Sequence, residues 1–560
     1  MDIRHKSVLI LGGYGLVGQA VARRLLRESP RRMVLLSLKR EEAEEAVATV
    51  RGEAGGVELA AAWGDIFAFA DLKDRPRREV FSDPVLRGRV IESLVDPLSE
   101  AAAAQYFLHQ LVTRERPDII VDAVNTATGI AYQDVYKTSR LAYQALQAKA
   151  DLRESMEMLL VTDYVPQLIR HVQVLYLSMV KAGTGTYIKI GTSGTGGMGL
   201  NIPYTHSEEK PSRVLLSKSA LAGAHTLLLF LMARTPDGPI TKEIKPAAAI
   251  AWKRIGFGEI LRGGKPVLLY DALPDEAEPL VDGARFRPVD PGRGRPTGET
   301  LRSVFIDTGE NGIFSLEEFS AITTGEQMEF VTPEEIADVV ARELVGGNTG
   351  HDVINALDNA VMGPTYRAGL MRHWALEKLR DLEKEHGVRS VAFENLGPPR
   401  LSKLLHEADL LRRAFGTMEN VRGAAPAEIC RRLSDEVARA EVRRPIVSIG
   451  IPVLLPSGRL LRGPECKIPP VTAEGDTHEI TPAGVEAWAK AGWVDLREAN
   501  MALWKARFDR IAREIESISD TETSSRFLRD RQFWSAEGLI QPGKVVGWIF
   551  ATEEKGARMK

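Results

Sequence analysis

The chain has 560 residues, of which 44% are apolar and 27% charged, a composition typical of a globular protein with two to four domains. Its 73 basic and 76 acidic residues leave a net charge of −3, which gives no reason to expect nucleic acid or a membrane surface as a partner. Cys430 and Cys466 are the only cysteines, which excludes a disulfide framework and a cysteine-rich metal site and favours the cytoplasm.

Short apolar runs alternate with helical patterns from residue 7 onward. The predicted strands are, in chain order, "SVLILGG", "RMVLLSLKR", "GVELAAAWGDIF", "DIIVDAVNTA", "GTYIKIGTSG", "EIKPAAAIAW" and "HDVINAL". Continuous apolar strands alternating with helices are typical of a parallel sheet covered on both faces. The sequence therefore predicts an α/β fold with a doubly wound, mostly parallel Rossmann sheet of about seven strands, closing near residue 358.

Two domains are predicted from the change in pattern after that sheet. Residues 1–358 are predicted to form a Rossmann-type domain, with an inserted lobe near 258–325 that is rich in proline, glycine and charged residues. Residues 359–560 form a mainly helical C-terminal region with a small β-hairpin near 444–472.

A glycine motif joins the first strand to the first helix in "LGGYGLVG". Gly12, Gly15 and Gly18 are spaced for a tight turn that lets a pyrophosphate approach the backbone. The helix N-terminus, with the backbone of Leu16 and Val17, supplies amide donors and a positive dipole end. Because the motif lies between a strand and a helix near the N-terminus, it predicts a dinucleotide site and makes residues 1–358 the predicted NAD(P)-binding domain.

The end of the second strand carries small and basic residues, Ser37, Lys39 and Arg40. An NAD site usually has an acidic residue there to hold the ribose hydroxyls. Two cations and a hydroxyl instead suit a 2′-phosphate. The predicted cofactor is therefore NADP in preference to NAD.

Several segments in order resemble the extended or atypical short-chain dehydrogenase/reductase superfamily, which includes NAD(P)-dependent epimerases and dehydratases. They are the Gly-x-x-Gly-x-x-Gly turn, "WGDIF", "DAVNTATG", "LIRHVQVLYLSMVKAG", "YIKIGTSG", "SKSAL" and "FVTPEEIADVVARELVGG", within residues 5–358. The resemblance implies that Asp65 approaches the adenine and that Asn125, Thr126 and Ala127 line the cofactor. His171 stands where many members carry an asparagine.

The resemblance also implies a catalytic serine and lysine, Ser193 and Lys218, but the tyrosine four residues before that lysine is replaced by Val214. Valine cannot transfer a proton. Three interpretations stay open. Tyr204 or His206 supplies the proton, Lys218 or a water molecule acts instead, or the protein binds a dinucleotide without hydride chemistry.

The leading functional prediction is an NADP-dependent oxidoreductase of atypical short-chain type that acts on a carbonyl or alcohol of a bulky substrate. An epimerase or dehydratase that uses the dinucleotide transiently is one alternative, and a non-catalytic scaffold or redox sensor is another. No metal site is predicted. Resemblance implies a homodimer or higher homo-oligomer paired through the helices at 164–182 and 213–233.

The segment "DTGENGIFSLEEF", residues 307–319, has the outline of a calcium-binding loop. Gly309 stands where a third-position ligand belongs, and the residues before the loop indicate a strand rather than a helix. The favoured interpretation is strand, turn and helix, with Ser315 as N-cap and Glu318 completing a capping box.

Overall fold

A computed structural model describes residues 2–553, apart from 132, 134, 192–212, 247–248, 263, 310–311, 326–329, 356–360, 396–397, 472–476 and 535–537. The chain divides into two compact units. Unit 1 comprises residues 1–197, 211–251 and 329–369, and unit 2 comprises 198–210, 252–328 and 370–560.

The strands are numbered along the chain. They are β1 Ser7–Leu11, β2 Arg32–Ser37, β3 Glu58–Trp63, β4 Ile119–Asp122, β5 Thr186–Ile190, β6 Ile240–Pro246, β7 Arg254–Glu259, β8 Leu261–Arg262, β9 Lys265–Pro266, β10 Leu268–Asp271, β11 Glu278–Pro279, β12 Arg285–Phe286, β13 Arg295–Thr300, β14 Arg302–Asp307, β15 Ile313–Phe314, β16 Val361–Met362, β17 Val453–Leu454, β18 Arg459–Leu461, β19 His478–Glu479 and β20 Val494–Asp495.

The α-helices are numbered in the same way. They are α1 Leu16–Leu26, α2 Arg40–Val50, α3 Arg77–Ser82, α4 Pro84–Val95, α5 Glu100–Ala103, α6 Phe107–Glu115, α7 Thr126–Ala131, α8 Val135–Gln147, α9 Arg153–Thr162, α10 Tyr164–Ala182, α11 Arg213–Ala233, α12 Leu316–Ile322, α13 Pro333–Leu344, α14 Tyr366–His386, α15 Pro399–Phe415, α16 Met418–Gly423, α17 Pro426–Ala438, α18 Ala440–Ser448, α19 Pro482–Gly492, α20 Glu498–Glu516, α21 Arg531–Trp534 and α22 Pro542–Thr552.

Unit 1 is built on a seven-stranded sheet in the order β16-β6-β5-β4-β1-β2-β3. Every neighbouring pair is parallel. Alternate residues of β1 face opposite layers: Val8 and Ile10 pack with α1 and α13, and Leu9 and Leu11 pack with α6, α10 and α11. Strands buried on both faces explain the continuous apolar runs. The doubly wound Rossmann fold predicted from the sequence is confirmed.

The seventh strand lies later in the chain than predicted. "HDVINAL" was expected to form it, but Asp352 makes an isolated antiparallel bridge and residues 353–355 turn. The Asp352 carboxylate accepts the amides of Glu243 at 3.1 Å and Ile354 at 3.0 Å, which bends the chain away from the sheet edge. Val361–Met362 then takes the seventh place beside β6.

Unit 2 joins two parts of the chain that the sequence assigned to different domains. Strand β11 of the predicted lobe pairs with β18, and β12 pairs with β19. These pairings connect residues nearly two hundred positions apart, which local patterns cannot reveal. The lobe near 258–325 therefore belongs with the C-terminal region, not with the Rossmann domain. The hairpin is shorter than 444–472, because α18 occupies the first part of that range.

The calcium-like segment folds as the strand–turn–helix interpretation predicted. Ser315 caps α12 through the amide of Glu318, at 3.1 Å from its Oγ. The Glu318 carboxylate accepts the backbone amides of Ser315 and Phe393, each at 2.9 Å. The carboxylate that would complete a calcium loop therefore holds two backbone segments of unit 2 together.

A buried charge cluster ties α12, α14 and α15 within unit 2. The Arg389 guanidinium contacts the carboxylates of Glu383 at 2.8 Å, Asp409 at 2.9 Å and Glu317 at 3.3 Å. Three carboxylates around one cation are not all favoured as anions when water is excluded. Burial raises the pKa of Glu383 to about 7, and burial likewise raises the pKa of Glu318 to about 7.

Unit 2 is expected to lose stability by roughly 1–2 kcal/mol as the pH rises from 6.5 to 8.5. In the unfolded chain these glutamates ionise near their ordinary pKa, whereas burial raises the folded-state pKa of Glu318, Glu383 and Glu394 to about 7. Folding is therefore coupled to proton uptake by these glutamates. The stability that this proton uptake provides is lost as the pH rises through 7. The measurement is the urea midpoint followed by tryptophan fluorescence, because seven of the eight tryptophans lie in unit 2.

Glu383→Gln should flatten this pH profile. Glu385→Gln is the matched control, because Glu385 lies on the same helix with a side chain that is 65% exposed. A midpoint that stays constant between pH 6.5 and 8.5 in the unmodified protein contradicts the prediction.

Candidate functional site

The glycine turn forms at the end of β1 as predicted. Gly12 has a φ of +83°, in the left-handed region that favours glycine. The amides of Gly12 and Gly13 both donate to the Leu36 carbonyl, at 3.0 and 2.7 Å, which ties the turn to β2. Gly15 is the N-cap of α1, with no side-chain cap, so the amides of the first helical turn have no competing side-chain partner there.

The glycines of this turn serve different needs. A Cβ on Gly18 would lie 2.1 Å from the Gly12 carbonyl oxygen, so only glycine lets the helix pack against the turn. A Cβ on Gly15 would meet nothing closer than 3.6 Å, and its surroundings are open. The open space at Gly15 and the helix N-terminus behind it fit the pyrophosphate of a dinucleotide.

A cleft of about 750 Å³ runs beside the turn and past the ends of β2 and β3. It is lined by Ser37, Lys39 and Arg40, as the sequence predicted, and by a second basic segment, residues 73–77. The Trp63 ring stands between the two segments, with Arg40 at 5.2 Å and Lys73 at 5.1 Å from its centre. Five cationic and three anionic side chains line the cleft, so it favours an anionic ligand.

Asp65 lines this cleft at the end of β3, and its predicted approach to the adenine stays a prediction. Its carboxylate accepts the Phe67 amide at 2.9 Å and pairs with the Arg77 guanidinium at 2.9 Å. Arg77 also donates to the Gly129 carbonyl at 2.8 Å. Asp65 and Arg77 together therefore hold the loop after β3 against α7, and their charges balance each other.

The segment after β4 contains the three predicted cofactor residues. Asn125 is exposed, whereas Thr126 and Ala127 are buried. The Thr126 hydroxyl lies 3.2 Å from the Lys189 ammonium, and Ala127 packs in an apolar cluster with Leu221. One of the three side chains is therefore exposed to the solvent, and the other two are buried and anchor the loop.

An ion pair between Lys189 of β5 and Asp122 of β4 lies beneath that loop. The Lys189 Nζ is 3.0 Å from Asp122 Oδ1 and donates to the Val124 carbonyl at 2.5 Å. Tyr187 donates to the other Asp122 oxygen at 2.8 Å. Lys189 and Asp122 are 2% and 0% exposed at their side chains. This buried network holds the loop at the carboxyl edge of the sheet, where Rossmann proteins bind their ligands.

Two buried histidines lie above the same network, one on each helix of this layer. The rings of His171 on α10 and His225 on α11 are 6.3 Å apart. Burial, with a further contribution from the charge of Lys189, lowers the pKa of His171 to about 4 and that of His225 well below its usual value. Both are therefore neutral near pH 7. His171 packs against Phe67 with ring centres 4.6 Å apart.

Helix α11 carries Lys218 at the predicted place. Lys218 is half-buried near the N-terminal end of the helix. Its neighbour Ser217 is buried and lies 3.4 Å from the hydroxyl of Tyr164, the first residue of α10. Ser193, Tyr204 and His206, together with the side chain of Val214, lie outside the residues that the structure describes.

The sequence did not single out Tyr164, Lys189 or the basic segment 73–77. The run "KDRPRR" is a charge signal that was available, whereas Lys189 sits inside an apolar strand and Tyr164 begins an apolar helix. The surroundings of Lys189 and Tyr164 depend on the packing of β4 beside β5 and of α10 beside α11, which the sequence does not show.

A family model describes the second half of the chain. Residues 269–554, which are more than half of the sequence, match the beta-methylindole-3-pyruvate reductase C-terminal domain. The chain belongs to this family. Members of the beta-methylindole-3-pyruvate reductase family thus share the part of the chain that includes most of unit 2. No curated protein matches the sequence significantly.

Solved structures with partial likeness include short-chain dehydrogenases. A short-chain dehydrogenase/reductase from Serratia marcescens is 14% identical, with 62% of this chain and 93% of that one covered at a TM-score of 0.27. One from Sphingobium yanoikuyae, in complex with NADPH, is 16% identical, with 44% and 72% covered at 0.22. Pen from Bacillus thuringiensis is 12% identical, with 45% and 54% covered at 0.24, so this chain spans about half of it. Likenesses this low say nothing about activity.

Proposed function

We propose that the protein is an NADP-dependent oxidoreductase of atypical short-chain type, acting on the carbonyl group of a bulky substrate. The observation that carries the proposal is the glycine turn at the N-terminus of α1, open at Gly15 and flanked by the basic end of β2. The nicotinamide cofactor would supply the hydride for the carbonyl carbon, and the protein would supply the proton for the oxygen.

The family name supports a narrower substrate class. Beta-methylindole-3-pyruvate is a 2-oxo acid that carries an aromatic ring system, so a reductase of this family is named for a bulky carbonyl compound. We extend that class to this chain and propose reduction of an aryl-substituted 2-oxo acid to the 2-hydroxy acid. In that reaction one hydride is added to the carbonyl carbon and one proton to its oxygen.

The chain's own residues would divide the work as follows. Lys218 holds the nicotinamide ribose, and Ser193 holds the carbonyl oxygen, as the short-chain resemblance implies. The proton comes from Tyr204 or His206 in the sequence-based hypothesis, and Tyr164 adds a candidate from the structure. The Tyr164 hydroxyl lies beside Ser217, one residue before Lys218, at the edge of the sheet where the resemblance places the substrate.

The test is NADPH oxidation with a panel of aryl 2-oxo acids, compared between the unmodified protein and three variants. Tyr164→Phe, Tyr204→Phe and His206→Gln each remove one candidate proton donor. The variant that lacks the true donor should lower kcat by about 10²- to 10⁴-fold, with little change in NADPH affinity. Tyr143→Phe is the matched control, because Tyr143 is 59% exposed. If none of the three variants loses turnover, the acid–base assignment is wrong. If the unmodified protein shows no turnover with any substrate, the oxidoreductase proposal is wrong.

The NADP preference makes a separate prediction about Lys39 and Arg40. Both side chains are exposed at the cleft, where they can neutralise a 2′-phosphate. Lys39→Ala with Arg40→Ala should weaken NADPH binding about tenfold or more and leave NADH binding nearly unchanged. Fluorescence titration with both nucleotides measures this, with Arg153→Ala as a control of 84% side-chain exposure. Equal losses for NADPH and NADH would contradict the assignment.

A non-catalytic dinucleotide-binding scaffold is the second candidate function, favoured by Val214 at the family's tyrosine position. It predicts NADPH binding without turnover for any carbonyl substrate. An epimerase or dehydratase, which uses the dinucleotide transiently, would convert its substrate without net NADPH consumption, and product analysis by mass spectrometry separates it from a reductase.

Assembly through α10 and α11 is also proposed, in the cytoplasm. Exposed apolar residues follow one face of α11, namely Leu216, Leu227 and Leu231, and α10 exposes Val165, Ile169 and Val180. Among the described residues, α11 is the one helix long and apolar enough to cross a membrane, with 39% of its apolar window buried. A second copy of the chain would cover these faces. Sedimentation analysis tests this, and a strictly monomeric protein would refute it.

A further inference from the structure

Arg170 on α10 is a buried cation that has no carboxylate partner among the residues that the structure describes. Its side chain belongs to a residue only 5% exposed, and its Nε has no hydrogen-bond partner among the described residues. One terminal nitrogen donates to the Asp96 carbonyl. The other buried arginines of the described chain, Arg87, Arg443 and Arg462, each have a carboxylate within 4 Å.

Burying a guanidinium without a counter-charge is costly, because its hydration is lost and no ion pair replaces it. A hydrogen bond to a neutral carbonyl compensates only a part of that cost. The arrangement at Arg170 is therefore one that a bound anion would complete.

Arg170 lines a cavity between α10 and the segment that follows β3. The cavity measures about 70 Å³, and its walls are mostly apolar, with Phe69, Leu72, Val80 and Val174 among them. Arg75 and Arg77 also line it, and the described lining contains no aspartate or glutamate. Because Asp65 balances the charge of Arg77, Arg170 and Arg75 are the cations that give the cavity an excess of positive charge, while most of its lining residues are apolar.

The size and the lining together select one ligand class. A volume of about 10–15 Å³ holds one water molecule, so 70 Å³ has room for a small ligand of about five or six non-hydrogen atoms. Phosphate or sulfate would have to give up its hydration shell against apolar walls, which is unfavourable. A short alkyl group would cover those walls, and a carboxylate accepts from a guanidinium with matching geometry.

We infer that this cavity is a second ligand site, which binds a short aliphatic monocarboxylate through Arg170. It is separate from the dinucleotide turn at Gly12–Gly18, although Phe67 and Arg77 line both the cavity and the dinucleotide cleft. The inference does not depend on the proposed reductase activity, because it concerns binding and not turnover.

The test is calorimetric titration of the full-length protein with isobutyrate, in the presence of saturating NADPH. Saturable binding is expected with one site per chain and a Kd at or below about 1 mM. Isobutyramide, which has the same shape without the charge, and inorganic phosphate, which has charge without the alkyl group, should each bind at least tenfold more weakly.

Two variants probe the site itself. Arg170→Met should weaken isobutyrate binding at least tenfold, whereas Arg153→Met, at an exposed arginine, should not change it. Val90→Phe fills the cavity from a partly exposed position and leaves Arg170 in place, so it should also abolish isobutyrate binding. This variant tests the site even if Arg170→Met does not fold. NADPH affinity should stay unchanged in the variants that fold.

Several results would overturn the inference. They are no saturable binding of isobutyrate to the unmodified protein, equal binding by isobutyramide or phosphate, and full affinity in Val90→Phe or in folded Arg170→Met. If the unmodified protein does not bind NADPH, the proposed function is wrong. The isobutyrate titration of the same protein still tests the cavity.

Discussion

Gly15→Asp is expected to abolish NADPH binding, by at least 100-fold in Kd, while the protein stays folded. Gly15 has φ −64° and ψ 158°, values that any residue adopts, and a Cβ there meets no atom closer than 3.6 Å. As N-cap of α1, an aspartate would accept the amides of the first helical turn, which stabilises a helix by about a few tenths of a kcal/mol relative to glycine. Those amides are the donors that a pyrophosphate needs, and the new charge repels it.

Binding by fluorescence titration and the thermal midpoint together test this prediction. Gly18→Ala is the informative comparison, because its methyl group would lie 2.1 Å from the Gly12 carbonyl oxygen. That overlap should cost roughly 1–3 kcal/mol of folding free energy and lower the thermal midpoint. Gly15→Asp should leave the midpoint unchanged or raise it. Retained NADPH affinity in Gly15→Asp would place the dinucleotide elsewhere and remove the basis of the proposed function.

The features that the sequence predicted correctly in unit 1 are those that depend on neighbouring residues. The glycine turn and each of the apolar strands β1 to β6 need fewer than ten consecutive residues to be recognised. The prediction of the seventh strand was wrong. The apolar run there is typical of a strand, but the hydrogen bonds of the Asp352 carboxylate to the backbone form a turn instead.

The features that the sequence did not reveal depend on contacts between distant segments. Pairing of β11 with β18 moves the lobe into unit 2, and no local pattern marks that pairing. Likewise, Tyr164 and Ser217 are 53 positions apart, and their proximity requires α10 and α11 to be packed side by side. Arg170 would pass for a surface residue of an amphipathic helix until α4 and the loop before it cover that face.

The largest effect on stability is expected from Lys189→Met. Removing the ammonium leaves the buried Asp122 carboxylate without its cation and the Val124 carbonyl without its donor. Breaking a buried ion pair in this way costs about 3–5 kcal/mol, a large fraction of the stability of a typical domain. The loop after β4 should also shift, so NADPH affinity should fall in the fraction that folds. Urea unfolding of unit 1, followed by backbone circular dichroism, measures the loss.

Lys6→Met is the matched control, because Lys6, just before β1, pairs at 3.2 Å with Asp118, just before β4, and the two side chains are 39% and 33% exposed. Solvent screens that pair, so its loss should cost less than about 1 kcal/mol. Adding Asp122→Asn to Lys189→Met removes the stranded charge while an amide oxygen still accepts from Tyr187. The double variant should therefore recover about 1–3 kcal/mol. If Lys189→Met and Lys6→Met have equal effects, the network does not hold the loop, and the cofactor edge must be positioned by packing alone.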